Sequence, residues 1–99
     1  MTSDRVMFSP LALAELAELT EYIAAQNPDA AEQVRAAVVA MTEQLALPAP
    51  RLDGPPAVLR SGVACRRSFV HPVAIYYRRA PGVLEVLRVY HHAREPIAR

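Results

Sequence analysis

The sequence predicts an α+β fold of order β-α-α-β-β-β, with a helical hairpin packed on one face of a mainly antiparallel sheet of three to four strands. Three observations predict it. Two stretches in the first half repeat apolar residues at helical spacing, each opened by a capping residue and a proline. A proline-dense segment from Leu47 to Pro56 then excludes helix. Beyond it, three runs rich in branched and aromatic residues are separated by turn residues. The 99 residues are enough for one domain, 1–99, and too few for two.

Each element has its own signal. Arg5–Phe8 is a short apolar-containing run that suits a first strand. Ser9–Pro10 reads as a cap followed by proline at the first helical position, and Ala12, Leu16, Leu19 and Ile23 form the stripe of a helix running to about Gln26. Glu15, Glu18 and Glu21 are expected on its solvated side. Asn27–Pro28 repeats the start signal, and Ala30, Val34, Ala37, Val38, Met41 and Leu45 form a second stripe. So short a link makes the pair an antiparallel hairpin. Leu47–Pro56 is expected to be a connecting loop. Arg66–Val70, Val73–Arg79 and Val83–His91 then read as a meander turning at His71–Pro72 and Ala80–Pro81–Gly82. The hairpin must cover one sheet face, because no other element can.

Composition narrows the class. The chain is 53% hydrophobic, which excludes a wholly disordered protein. Cys65 is the single cysteine, so no internal disulfide can form, and the cytoplasm is the default compartment. No secretory signal and no membrane-length apolar run is visible. The small net charge of +1 hides a polarity: residues 1–46 carry two arginines against seven carboxylates, and residues 47–99 carry nine arginines against three. Such asymmetry suggests that a basic face meets an acidic partner. Every basic residue is arginine, whose planar fork suits carboxylate or phosphate.

Taken together, the element order, the Asn27–Pro28 break between alanine-rich helices, the strand ending Ile75–Tyr76–Tyr77–Arg78 and the last strand Leu84–His91 resemble the RelE/ParE superfamily of type II toxins. The last strand is similar to that of the ParE branch, with Glu85, Arg88, Val89 and His91 at matching places, and Arg66–Arg67 stand where the family carries an arginine entering its second strand. Two departures are visible: His91–His92 replaces a His-Gly pair, and the proline-rich loop is denser. The resemblance implies a toxin neutralised by a cognate ParD-like antitoxin in a hetero-oligomer. It implies DNA gyrase as the target for a ParE-like member, and the ribosome and its mRNA for a RelE-like member.

The candidate target-binding residues are Arg66, Arg67, Arg78, Arg88, His91, His92 and Arg94. Strand alternation puts Arg66 and Arg67 on opposite faces, so at most about half of the arginines can share one patch. Alternation also groups Arg88 with Leu84, Val86 and Tyr90, and two readings of it stand side by side: an anion-binding group on the open face, or a strut paired with a helix glutamate. Were the chain a nuclease, Arg67, Arg88, Tyr90, His91 and His92 would supply phosphate binding, base stacking and a general base. The non-enzymatic reading is preferred. No zinc-type spacing exists, so no metal and no cofactor is expected. Tyr76 and Tyr77 are expected to be one buried and one exposed. The antitoxin is expected on the helical hairpin groove and the sheet edge.

Overall fold

The computed structural model describes residues 2–95. Its order is β1 (Arg5–Phe8), α1 (Pro10–Ala24), α2 (Pro28–Leu45), β2 (Pro56–Val58), β3 (Ala64–Val70), β4 (Val73–Ala80) and β5 (Val83–His91), followed by a 3-10 turn at His92–Arg94. Both helix starts form as expected. The Ser9 side chain accepts a hydrogen bond from the Ala12 N–H and that of Asn27 from the Ala30 N–H, each with proline just inside the helix.

The sheet has five strands in the order β1-β5-β4-β3-β2. This corrects the expected three to four. The extra strand, β2, grows out of the end of the proline-rich segment, where Pro56, Ala57 and Val58 pair with Arg66, Cys65 and Ala64. Proline is tolerated there because an edge strand needs only one of its sides for pairing. β1 joins parallel to β5, and every other pairing is antiparallel. At the β4–β5 turn, Gly82 takes a positive φ of 72°, a conformation glycine enters without steric cost. Gly54 is needed for a different reason: a Cβ there would lie 1.8 Å from the carbonyl oxygen of Arg67.

The helices cover one face of the sheet. Ala12, Leu16 and Leu19 of α1 and Val38 of α2 pack on Val73, Ile75, Val86 and Val89. A second cluster joins Leu45 and Ala46 to Tyr77 and Leu84. Opposite it, Cys65, Ala74 and Tyr76 make a thinner apolar patch with Ala57, Leu59, Leu87 and Tyr90. Tyr76 and Tyr77 do face opposite ways, but both are buried, at 3% and 0% exposure, which corrects the expectation of one exposed ring.

One irregularity decides which side chain faces where. Tyr76 pairs with Arg88 and Tyr77 with Val86, so Leu87 is an extra residue in β5. Such a bulge interrupts the alternation of faces. Leu84, Val86 and Val89 therefore all reach the helix side, while Leu87 and Tyr90 join the patch on the other. Strict alternation had grouped Arg88 with Leu84 and Val86; the bulge separates them.

Candidate functional site

The uncovered face is built by β3, β4 and β5. Arg67 and Phe69 of β3, Tyr76 and Arg78 of β4, and Leu87, Arg88 and Tyr90 of β5 lie on it or at its rim. Arg66 does not: it pairs across to Tyr77 and donates to the Gly54 carbonyl at 2.7 Å, on the opposite face. Three candidate arginines thus share this face, and each is engaged by a carboxylate.

Arg88 is held by Glu15 of α1. Its Nε and Nη2 lie 3.0 and 2.7 Å from the Glu15 carboxylate, and the guanidinium carbon lies 4.7 Å from the centre of the Tyr90 ring. The same carboxylate accepts the Val89 backbone N–H at 3.0 Å. This contact has a topological cause. β1 pairs only with Val83–Val86, so the outer edge of β5 from Leu87 onward has no neighbouring strand among the described residues. Side chains from the start of α1 continue the pairing: Ser9 Oγ donates to the Leu87 carbonyl and Glu15 accepts from Val89. Glu15 was expected on the solvated side of α1. It instead pairs with Arg88 as a strut would, and its bidentate hydrogen bonds raise the Arg88 pKa.

Arg67 is held by Glu95. Beyond the 3-10 turn, the Glu95 carboxylate receives Nε and Nη2 of Arg67, the latter at 2.8 Å, and the Tyr76 hydroxyl donates to the same group. The Arg67 hydrogen bonds hold the Glu95 carboxyl below its ordinary range, with Tyr76 adding to the effect. Burial, followed by Glu95, pushes the Tyr76 phenol up to about 12. Arg78 pairs with Glu85 on the neighbouring strand at 2.8 Å. Near the proline-rich loop, Arg79 bridges Asp53 and Asp4, and Tyr77 Oη accepts from the Gly54 N–H at 2.8 Å. Asp53, Glu85 and Glu95, the carboxylates of the basic half, are thus all consumed by arginines. The two oppositely charged halves meet through Arg88–Glu15 and Arg79–Asp4 among the described residues.

The histidines gather at one end. The rings of His91 and His92 stack at 5.2 Å, and His71 lies 5.7 Å from His92. Neither reaches the arginines by a hydrogen bond: His91 Nδ1 accepts from the Ala93 N–H at 3.1 Å, and His92 Nδ1 lies 3.3 Å from the Pro72 carbonyl. Arg94 leaves the open face, its guanidinium carbon 5.2 Å from the Tyr22 ring of α1. Burial, with His92, Arg94 and His71 nearby, lowers the His91 pKa. Among the described residues no group of three or more His, Cys, Asp or Glu side chains is placed to hold a metal ion. Cys65 is buried, and burial raises its thiol pKa. No described helix is long and apolar enough to cross a membrane.

Between α1 and the β5 edge lies a cavity of about 370 Å³, lined by Glu15, Glu18, Leu19, Tyr22, Val89, Tyr90, His91, Ala93 and Arg94. The sequence reading missed Glu15 and Glu95 as site residues, and Phe69, which stands 42% exposed beside Arg67. A lone glutamate on a polar helix face and another in a polar tail carry no local signal of their partners.

Comparison with known proteins bears on the whole chain. Residues 6–96 match the family described as the ParE toxin of the type II toxin–antitoxin system parDE. The fold is similar to that in the chromosomal ParDE system from P. aeruginosa, at a TM-score of 0.73 and 16% identity, covering 90% of this chain and 96% of that one. It is also similar to a chain of the toxin–antitoxin complex RelBE2 from Mycobacterium tuberculosis, at a TM-score of 0.63 and 22% identity, covering 94% and 95%. No curated protein sequence matches significantly. With its two helices on one face of a mixed sheet and a family match along nearly its full length, the chain belongs to the ParE toxin family of type II toxin–antitoxin systems.

Proposed function

We propose that this toxin inhibits DNA gyrase by direct binding, without catalysing a reaction itself, and that a cognate ParD-like antitoxin neutralises it in the cytoplasm. The observation that carries this reading is the chemistry of the uncovered face. An aromatic and aliphatic patch of Phe69, Leu87 and Tyr90, set over the buried Tyr76, is rimmed by arginines already satisfied by carboxylates. Aromatic residues and arginine dominate the energetics of protein–protein contacts, which suits a protein target. Among the described residues no imidazole hydrogen-bonds Arg67 or Arg88, and the carboxylates beside them, Glu95 and Glu15, are taken up by those arginines. Arg67, Arg78, Arg88, His91, His92 and the tail would make the contact, with Arg66 and Arg94 reaching it from other surfaces; of that tail, residues 96–99 lie outside the described residues.

The antitoxin would take the outer edge of β5 and the adjoining groove along α1. Beside that groove Tyr22 of α1 is exposed, and an amphipathic segment lying there would cover it. Binding only the folded toxin, it would also stabilise a thin-cored domain. The test is supercoiling by gyrase with purified toxin in molar excess. Loss of supercoiling is expected, and its restoration by the antitoxin; untouched supercoiling overturns the reading.

A second reading, a ribosome-dependent endoribonuclease, is favoured by one observation: Arg67, Tyr76, Arg88 and Tyr90 do converge on one face. Glu95 and Glu15 would have to leave before those arginines could hold RNA. Toeprinting of a translated message decides it, since new codon-positioned cuts would replace the gyrase reading.

A further inference from the structure

We propose that His91 is a pH-sensitive latch: its neutral ring holds the 3-10 turn His92–Arg94 against the sheet, and protonation of the ring releases that turn. The turn needs the ring as an acceptor. His91 Nδ1 takes the Ala93 N–H at 3.1 Å and so caps the turn's first unpaired donor. A protonated imidazole carries a proton on both nitrogens and cannot accept. The same proton adds charge to a crowded corner. His91 stacks on His92, His92 lies 5.7 Å from His71 in the β3–β4 turn, and Phe69 stands edge-on to both His71 and His92. Arg94 is the further cation of this segment. From α1 the groups sharing the cavity with His91 are Glu15, Glu18 and Tyr22, and from β5 Tyr90. Glu15 is committed to Arg88 and Val89.

The turn delivers two side chains to the rest of the molecule. It sets Arg94 over Tyr22 and leads Glu95 onto Arg67 and Tyr76. Opening it therefore weakens both seats at once and uncovers the Arg67 side of the open face. His92 does not play this part. Once charged, it is attracted to Glu95, whose carboxyl its charge helps to keep ionised.

The direction follows from burial and the neighbouring cations, which pull the His91 pKa below its ordinary 6.5. In the released turn the ring regains that ordinary value and binds the proton more tightly. The latch is thus intact above about pH 6.5 and weakens as the pH falls from there toward the lower value of the latched ring. Each unit of difference between the two values shifts the opening equilibrium by about tenfold.

The inference stands on the turn alone and is independent of the toxin's target. It is tested by nuclear magnetic resonance on the full chain between pH 8 and pH 5. At pH 8 the neutral His91 ring is expected as the Nε2–H tautomer, and on acidification the protection of the Ala93 amide falls in step with His91 titration. His91→Asn, which keeps a capping oxygen but does not titrate in this range, is expected to abolish the pH response, and His92→Gln to retain it. An Nδ1–H tautomer at pH 8, equal Ala93 protection at both pH values in the unmodified chain, or an unaltered response in His91→Asn overturns the proposal.

Discussion

The two faces of this sheet come from the same strands and are stabilised in different ways. The helix side is a dry aliphatic layer in which Val73, Ile75, Leu84 and Val86 are fully buried. The uncovered side buries only Cys65, Ala74 and Tyr76, and fences them with Arg67–Glu95, Arg78–Glu85 and Arg88–Glu15 pairs. Apolar burial stabilises in proportion to area, at about 25 cal/mol per Å². Ion pairs near solvent contribute little each, typically below about 1 kcal/mol. The helix side therefore carries the fold. The other side spends its polar groups on orientation, and that is the side where a partner can be met.

The largest expected effect tests the helix side. Ile75→Ala removes a side chain with 0% exposure between both helices and is expected to cost about 2–5 kcal/mol, read as a lowered urea midpoint. If it costs less than the charge changes below, the division between the faces is wrong.

An intermediate effect is expected at the rim. Glu15→Gln removes the charge from a contact serving both Arg88 and the Val89 N–H, and is expected to cost about 1–2 kcal/mol in the same measurement. Exchange at the Val89 amide should rise with it. A cost near zero would show that the β5 edge does not depend on α1 for its pairing.

The smallest effect belongs to Glu95. Glu95→Gln is expected to cost about 1 kcal/mol or less at neutral pH, because its carboxylate serves side chains near solvent and no backbone N–H of the sheet. Its pH signature is sharper. The Glu95 pKa is depressed in the folded state, so its contribution is present above its ordinary 4.5 and is lost as the pH falls through the folded value. Glu95→Gln should lose that part of the acid dependence. The Tyr76 phenol, pushed up to about 12 by burial and then by Glu95, is expected to titrate part of the way back toward 10 in the variant. Absorbance of tyrosinate measures this, and an unmoved titration would place Glu95 elsewhere.

How much of this was legible beforehand differs by residue. Ser9–Pro10 and Asn27–Pro28 announced both helices, and β1 and β5 have the bounds their composition suggested. β2 was not legible: three residues after a run of prolines have no strand pattern, and they pair because β3 presents them an edge. The candidate site was half legible. Arg67, Arg78 and Arg88 do share a face, but their partners are 28, 7 and 73 residues away in sequence.

The sequence by itself determined the order of the elements other than β2, the starts of both helices and the acidic–basic division of the chain, because caps, prolines and apolar spacing act over a few neighbouring residues. Only the tertiary structure decided which way β5 faces, since one bulge at Leu87 exchanges the faces beyond it. It also decided whether each arginine meets water or a carboxylate. Those outcomes depend on which distant segments fold side by side, and charges find their partners across space.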